Sequence, residues 1–88
     1  MGKKFYALKE SKAMCDEREG FDRKYLRLDK WGGFDLVNST EWLVTLDLDA
    51  PDSLFFSLRE AKRTRSKFFK RGTVNWPDIV KIEETIVG

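Results

Sequence analysis

The stretch Ser57-Leu58-Arg59-Glu60-Ala61-Lys62-Arg63-Thr64-Arg65-Ser66-Lys67-Phe68-Phe69-Lys70-Arg71 decides the fold. Ser57 is a good N-cap, and Glu60 completes an S-x-x-E capping box. Gly72 stands where a left-handed C-terminal residue is wanted. Nothing between them breaks a helix, and Lys70 and Arg71 lie at the end that favours positive charge. At about 100° per residue, Leu54, Leu58, Ala61 and Phe68 fall on one side. Arg59, Arg63, Lys67 and Lys70 form a stripe on the other. The stretch predicts one amphipathic helix over 57–71, apolar on one face and basic on the other. Phe68 is expected in the core, so replacing it by alanine should cost about 3–5 kcal/mol.

Short strands surround this helix. Phe5–Lys9 alternates, with Phe5 and Ala7 against Tyr6 and Leu8, and reads as the first strand. Tyr25–Trp31 alternates more cleanly, with Leu26 and Leu28 opposite Arg27 and Asp29. Gly32-Gly33 then signals a hairpin, and Phe34–Val37 is its return strand. Asn38-Ser39-Thr40 marks another turn. Trp42–Leu48 alternates again, and Pro51 cannot continue its ladder. Leu54-Phe55-Phe56 reads as a short extended piece, with helix onset at Pro51 as the competing reading. Asn75-Trp76-Pro77 is a loop. Ile79–Val87 is the last strand, with Val80 and Ile82 inward. Ser11–Gly20 is either a short helix capped by Ser11 or a loop with one helical turn. Asp16, Glu17 and Glu19 would crowd the negative end of such a helix.

Strands, helix, strand is an α+β order. The expected architecture is one domain over 1–88, an antiparallel sheet of four to five short strands with one amphipathic helix packed on one face. The strand order expected along the chain is β-β-β-β-α-β. With 88 residues the chain can build one modest core. Hydrophobic residues make up 41%, which argues against disorder. No apolar run approaches a membrane span. No secretory h-region follows the N-terminus, so a cytoplasmic location is expected.

The single cysteine, Cys15, cannot form an internal disulfide, which suits a reducing compartment. Histidine is absent, so the commonest general base and any Cys–His nucleophile are missing. Acidic neighbours at Asp16 and Glu17 disfavour a Cys15 thiolate. Asp47, Asp49 and Asp52 form a D-x-D-x-x-D cluster that could attract a divalent cation. It lacks the turn glycine and distal glutamate of an EF-hand loop, so a solvated turn near the helix start explains it better. The expectation is a non-enzymatic protein with no cofactor and no metal.

The basic stripe is the best functional candidate. Arg59, Arg63, Lys67 and Lys70 are spaced by four, four and three residues and line up on one face. The net charge is only +2, so the signal is the concentration of cations on one helix. Such a row suits an acidic protein partner or a phosphate backbone, and plain solvation is the competing explanation. Trp31 and Trp76, placed in turns, add aromatic surface. The candidate partner-binding residues are therefore Arg59, Arg63, Lys67, Lys70, Trp31 and Trp76. Neither an RNA-recognition-motif signature nor a KH-type loop is present. Edge strands leave a homodimer open.

The pattern Leu54-Phe55-Phe56-Ser57-Leu58-x-Glu60-Ala61, a basic helix, then Ile79-Val80-Lys81-Ile82 resembles a recurrent type of small phage-encoded accessory protein. Such proteins often begin with a strand like Phe5-Tyr6-Ala7-Leu8-Lys9. The resemblance spans the ends and the helix, and no functional residues carry over from it. It implies a product in the bacterial cytoplasm that binds a host protein and blocks or redirects it, with inhibitors of defence systems as one class. The alternative is a nucleic-acid-binding module using the same basic face.

Overall fold

The computed structural model describes residues 5–17, 22–44, 49–82 and 85–87. The fold is α+β, a curled antiparallel sheet with one main helix. The strands are β1 (Tyr6–Lys9), β2 (Tyr25–Leu28), β3 (Phe34–Val37), β4 (Leu54–Phe55), β5 (Asp78–Lys81) and β6 (Thr85–Ile86). A short helix α1 (Lys12–Glu17) follows β1, and the main helix α2 (Leu58–Phe68) follows β4. Along the sheet the order is β3-β2-β1-β5-β6, with β4 paired to β1 off this path.

β1 is the hinge of the sheet. On one edge it pairs with β5 along its whole length, from Tyr6↔Lys81 to Lys9↔Asp78. Its other edge is shared. Lys9 pairs with Tyr25 of β2, whereas Tyr6 and Ala7 pair with Phe55 and Leu54 of β4. β2 therefore leaves β1 after one register position, and β4 occupies the vacated edge. The Leu28 N–H on the departing strand donates to the Ser53 hydroxyl, 2.9 Å away, with both residues buried. This side chain satisfies a backbone donor that the splay would otherwise strand, and the sheet curls at that seam.

Successive strand residues point to opposite faces, and both faces are packed. On the α2 side, Leu8, Leu26, Leu28, Phe55 and Ile79 join Met14 and Ala61 in the larger cluster. On the opposite side, Ala7, Tyr25 and Val80 meet Leu43, with Val37, Leu54 and Ile82 at the margin. Val80 and Ile82 are inward as expected, but they face away from α2. Ile79 takes the helix side. Burial on both faces is why β1 and β5 each present two adjacent buried residues rather than alternation.

Several boundaries differ from the sequence reading. Thr40–Leu43 forms a 3-10 turn capped by Ser39, so the strand expected from Trp42 does not begin there. Leu43 is buried while Trp42 and Val44 are exposed; the rest of that expected strand, 45–48, lies outside the described residues. The fourth strand is instead the short piece Leu54–Phe55. The expected single strand 79–87 is a hairpin, with β6 folding back so that Val80 faces Ile86.

α1 settles the alternatives for the start of Ser11–Gly20. The Ser11 hydroxyl accepts from the Met14 N–H, and the Ser11 carbonyl accepts from the Cys15 N–H. Met14 and Cys15 face the interior. Residues 18–20 lie outside the described residues. The hairpin at Gly32-Gly33 stands: Asp29 Oδ1 accepts from both the Trp31 and Gly33 amides, and Gly32 adopts φ +83°.

Candidate functional site

α2 starts as its sequence predicts. The Ser57 hydroxyl accepts from the Glu60 N–H at 3.2 Å. The helix stops at Phe68, three residues short of the predicted end. Phe69 turns to an extended conformation while its N–H still donates to the Arg65 carbonyl. Its ring packs 5.4 Å from that of Phe34, tying the helix end to the β2–β3 hairpin. Gly72, at φ +87°, serves the following turn rather than the helix cap itself.

The inward face carries Leu58, Ala61 and Phe68, as expected. It also carries Arg65, four residues after Ala61, and this cation is 8% exposed. Its Nη1 donates to the Pro77 carbonyl at 3.0 Å, and its Cζ sits 4.4 Å from the centroid of the Trp76 ring. Burial pushes its pKa below the ordinary arginine value, opposed by Asp78 and reinforced by Arg71. Arginine still keeps its charge under such conditions. Asp78 in turn forms an ion pair of 2.6 Å with Arg23, whose Nε donates to the Glu10 carbonyl. Arg65 is not among the residues the sequence placed in the site. The helical spacing 58, 61, 65, 68 was the signal that placed it inside.

The predicted site residues fall into three places. Arg59, Arg63 and Lys67 are exposed along one side of α2. Arg63 and Lys67 border a hollow of about 290 Å³ that also has Asp52 and Glu60 on its walls, so their charge is partly matched there. Lys70 and Trp76 come together in a larger concavity of about 750 Å³, lined also by Lys62, Arg65, Ser66, Phe69 and Arg71. Trp31 lies apart, on the hairpin tip, 82% exposed with the Lys30 ammonium over its ring.

The larger concavity has four cations, a hydroxyl and two aromatic rings on its walls, and no carboxylate. This arrangement can hold an anion with an apolar portion. Of the carboxylate cluster, Asp49 and Asp52 are exposed, and Asp47 lies outside the described residues. Among the described residues, no group of three or more candidate ligands is arranged to hold a metal ion. Among them also, no helix is long and apolar enough to cross a membrane. Comparison of the chain with protein-family models, with curated proteins and with solved structures finds no match.

Proposed function

We propose that the protein is a non-enzymatic binding protein that engages an acidic surface on a partner protein through the basic side of α2. The observation that carries this reading is charge segregation. Arg59, Lys62, Arg63, Lys67, Lys70 and Arg71 are all exposed on one helix and its terminal turn, with Glu60 as the sole acid in 57–71. Exposed aromatic residues supply anchors of the kind that dominate protein interfaces: Trp31, Trp42 at 60% and Phe56 at 66% exposure. The cations would steer encounter and fix orientation, and the rings would bury apolar area. The resemblance to phage accessory proteins makes a bacterial host protein, including a component of a defence system, the partner class. Occlusion of that protein's surface is then the mode of inhibition, in the bacterial cytoplasm.

The test is affinity capture from nuclease-treated bacterial lysate, with wild type beside Arg63→Glu/Lys67→Glu. The expected result is a host protein recovered by wild type and lost from the variant. Recovery that vanishes with nuclease treatment, with direct oligonucleotide binding that weakens steeply with salt, would replace this reading with nucleic-acid binding.

A further inference from the structure

We propose that the concavity at the C-terminal end of α2 is a nucleotide site. Its cations take the phosphates of a small nucleotide, and Trp76 and Phe69 flank the base. This site excludes Arg59, Arg63 and Lys67 but shares Lys62, Lys70 and Arg71 with the proposed protein-binding surface, and its own ligand does not depend on that reading.

The volume, about 750 Å³, falls in the range of about 300–1,000 Å³ typical of small-molecule sites. Its construction follows from helical spacing. Lys62, Arg65, Ser66 and Phe69 lie at i, i+3, i+4 and i+7 and so form one wall. Lys70 and Arg71 continue past the helix end into the turn at Gly72, and Trp76 closes the site from the loop before β5.

The chemistry selects a phosphate over a carboxylate. Three exposed cations, Lys62, Lys70 and Arg71, line the wall beside Arg65, which Pro77 and Trp76 already engage, and no carboxylate lines it; one carboxylate ligand would leave most of that charge unmatched. A phosphate monoester carries about −1.5 to −2 charges and three strong acceptor oxygens. Arginine and lysine serve such groups well, and the Ser66 hydroxyl can donate as well. The aromatic side chains select an attached base, since rings of this kind stack on nucleobases irrespective of sequence. Trp76 is held in place by Arg65 on one side and by the Pro77 carbonyl bond next to it. A pre-positioned ring loses little freedom when a ligand arrives.

Trp31 and Trp42 are exposed, so Trp31→Phe/Trp42→Phe leaves Trp76 as the lone tryptophan without touching the core. That protein is titrated with ATP, AMP and inorganic pyrophosphate at physiological ionic strength, following Trp76 fluorescence. The expected result is saturable quenching by the nucleotides, weakened at least about tenfold by Lys70→Ala/Arg71→Ala. Both of these side chains are exposed, so the fold should persist. Arg59→Ala/Arg63→Ala should shift affinity by less than about threefold. Three results would overturn the proposal: no saturable response at millimolar nucleotide, equal affinity for pyrophosphate and ATP, or equal losses from the two alanine pairs.

Discussion

Arg65 lies over the indole of Trp76, its Cζ 4.4 Å from the ring centroid, while its Nη1 donates to the carbonyl of the next residue, Pro77. One side chain of α2 thereby fixes the loop that enters β5. The same contact joins the fold to the candidate site, because Trp76 lines the concavity that Arg65 helps to build.

Arg65→Ala should destabilise the protein by about 2–3 kcal/mol. A charge-assisted hydrogen bond contributes about 1.5–3 kcal/mol, and a desolvated cation–π contact up to about 2, with partial overlap between them. Arg65→Lys should recover less than half of the loss, since an ammonium cannot make the planar contact and reach the carbonyl together. Urea unfolding of the three proteins, followed by tryptophan fluorescence, checks both values. An alanine variant as stable as wild type would remove Arg65 from its supporting role.

The start and inward face of α2 were legible from its cap and its apolar spacing, whereas its end, read from Gly72, came three residues early at Phe68. The strands Tyr6–Lys9, Tyr25–Leu28 and Phe34–Val37 were legible from alternation and a glycine turn. Two features were not. The stretch Trp42–Leu48 reads as an alternating strand, yet its start serves a 3-10 turn whose one buried side chain, Leu43, covers the second face of the sheet. The alternation grouped Leu43 with the polar residues, yet Leu43 is buried while Trp42 and Val44 are exposed, so a short pattern set neither burial nor backbone geometry here. The site was half legible: Lys70 and Trp76 were both singled out and the helical spacing puts Ser66 beside the stripe, but that Arg65 meets Trp76 rests on a pairing of helix and loop 11 residues apart in sequence. The spacing of Arg65 from Ala61 and Phe68 puts it on the inward face, and Pro77 and Trp76 cover it there.

Ser53→Ala should cost about 1–3 kcal/mol, far more than a hydroxyl deletion at the surface. Its oxygen is the acceptor for the buried Leu28 N–H where β2 departs from β1. Removing it strands a buried donor, which carries the full desolvation penalty. Amide exchange at Leu28 should accelerate in the variant, while exchange at Ile79, in the continuous β1–β5 ladder, should follow only the global change. Unchanged exchange at Leu28 would mean that the seam is held by something else.

Phe68→Ala should cost about 1.5–2.5 kcal/mol, below the 3–5 typical of a fully buried phenylalanine. Phe68 is half-buried and packs against the margin of the larger cluster. By contrast, Leu8→Ala, within that cluster and 1% exposed, should cost about 3–5 kcal/mol. Chemical denaturation of both variants checks the ranking. A larger loss at Phe68 than at Leu8 would place the centre of the core under α2 instead of in the sheet.

Asp78 pairs with the Arg23 guanidinium at 2.6 Å and favours the charge of Arg65 through space, which makes its replacement non-additive with theirs. The Arg23–Asp78 groups are each about a third exposed, side chains at 29% and 30%, so the pair alone should contribute no more than about 1 kcal/mol. Asp78→Asn should nevertheless cost about 1–2 kcal/mol, because it leaves the desolvated Arg65 without its nearby anion. In an Arg65→Met background that second contribution vanishes, and the cost of Asp78→Asn should fall to that of the exposed pair. A double-mutant cycle by urea unfolding measures the difference. Equal costs in the two backgrounds would show that Asp78 acts on Arg23 alone and that Arg65 is held by Trp76 and Pro77 without electrostatic help.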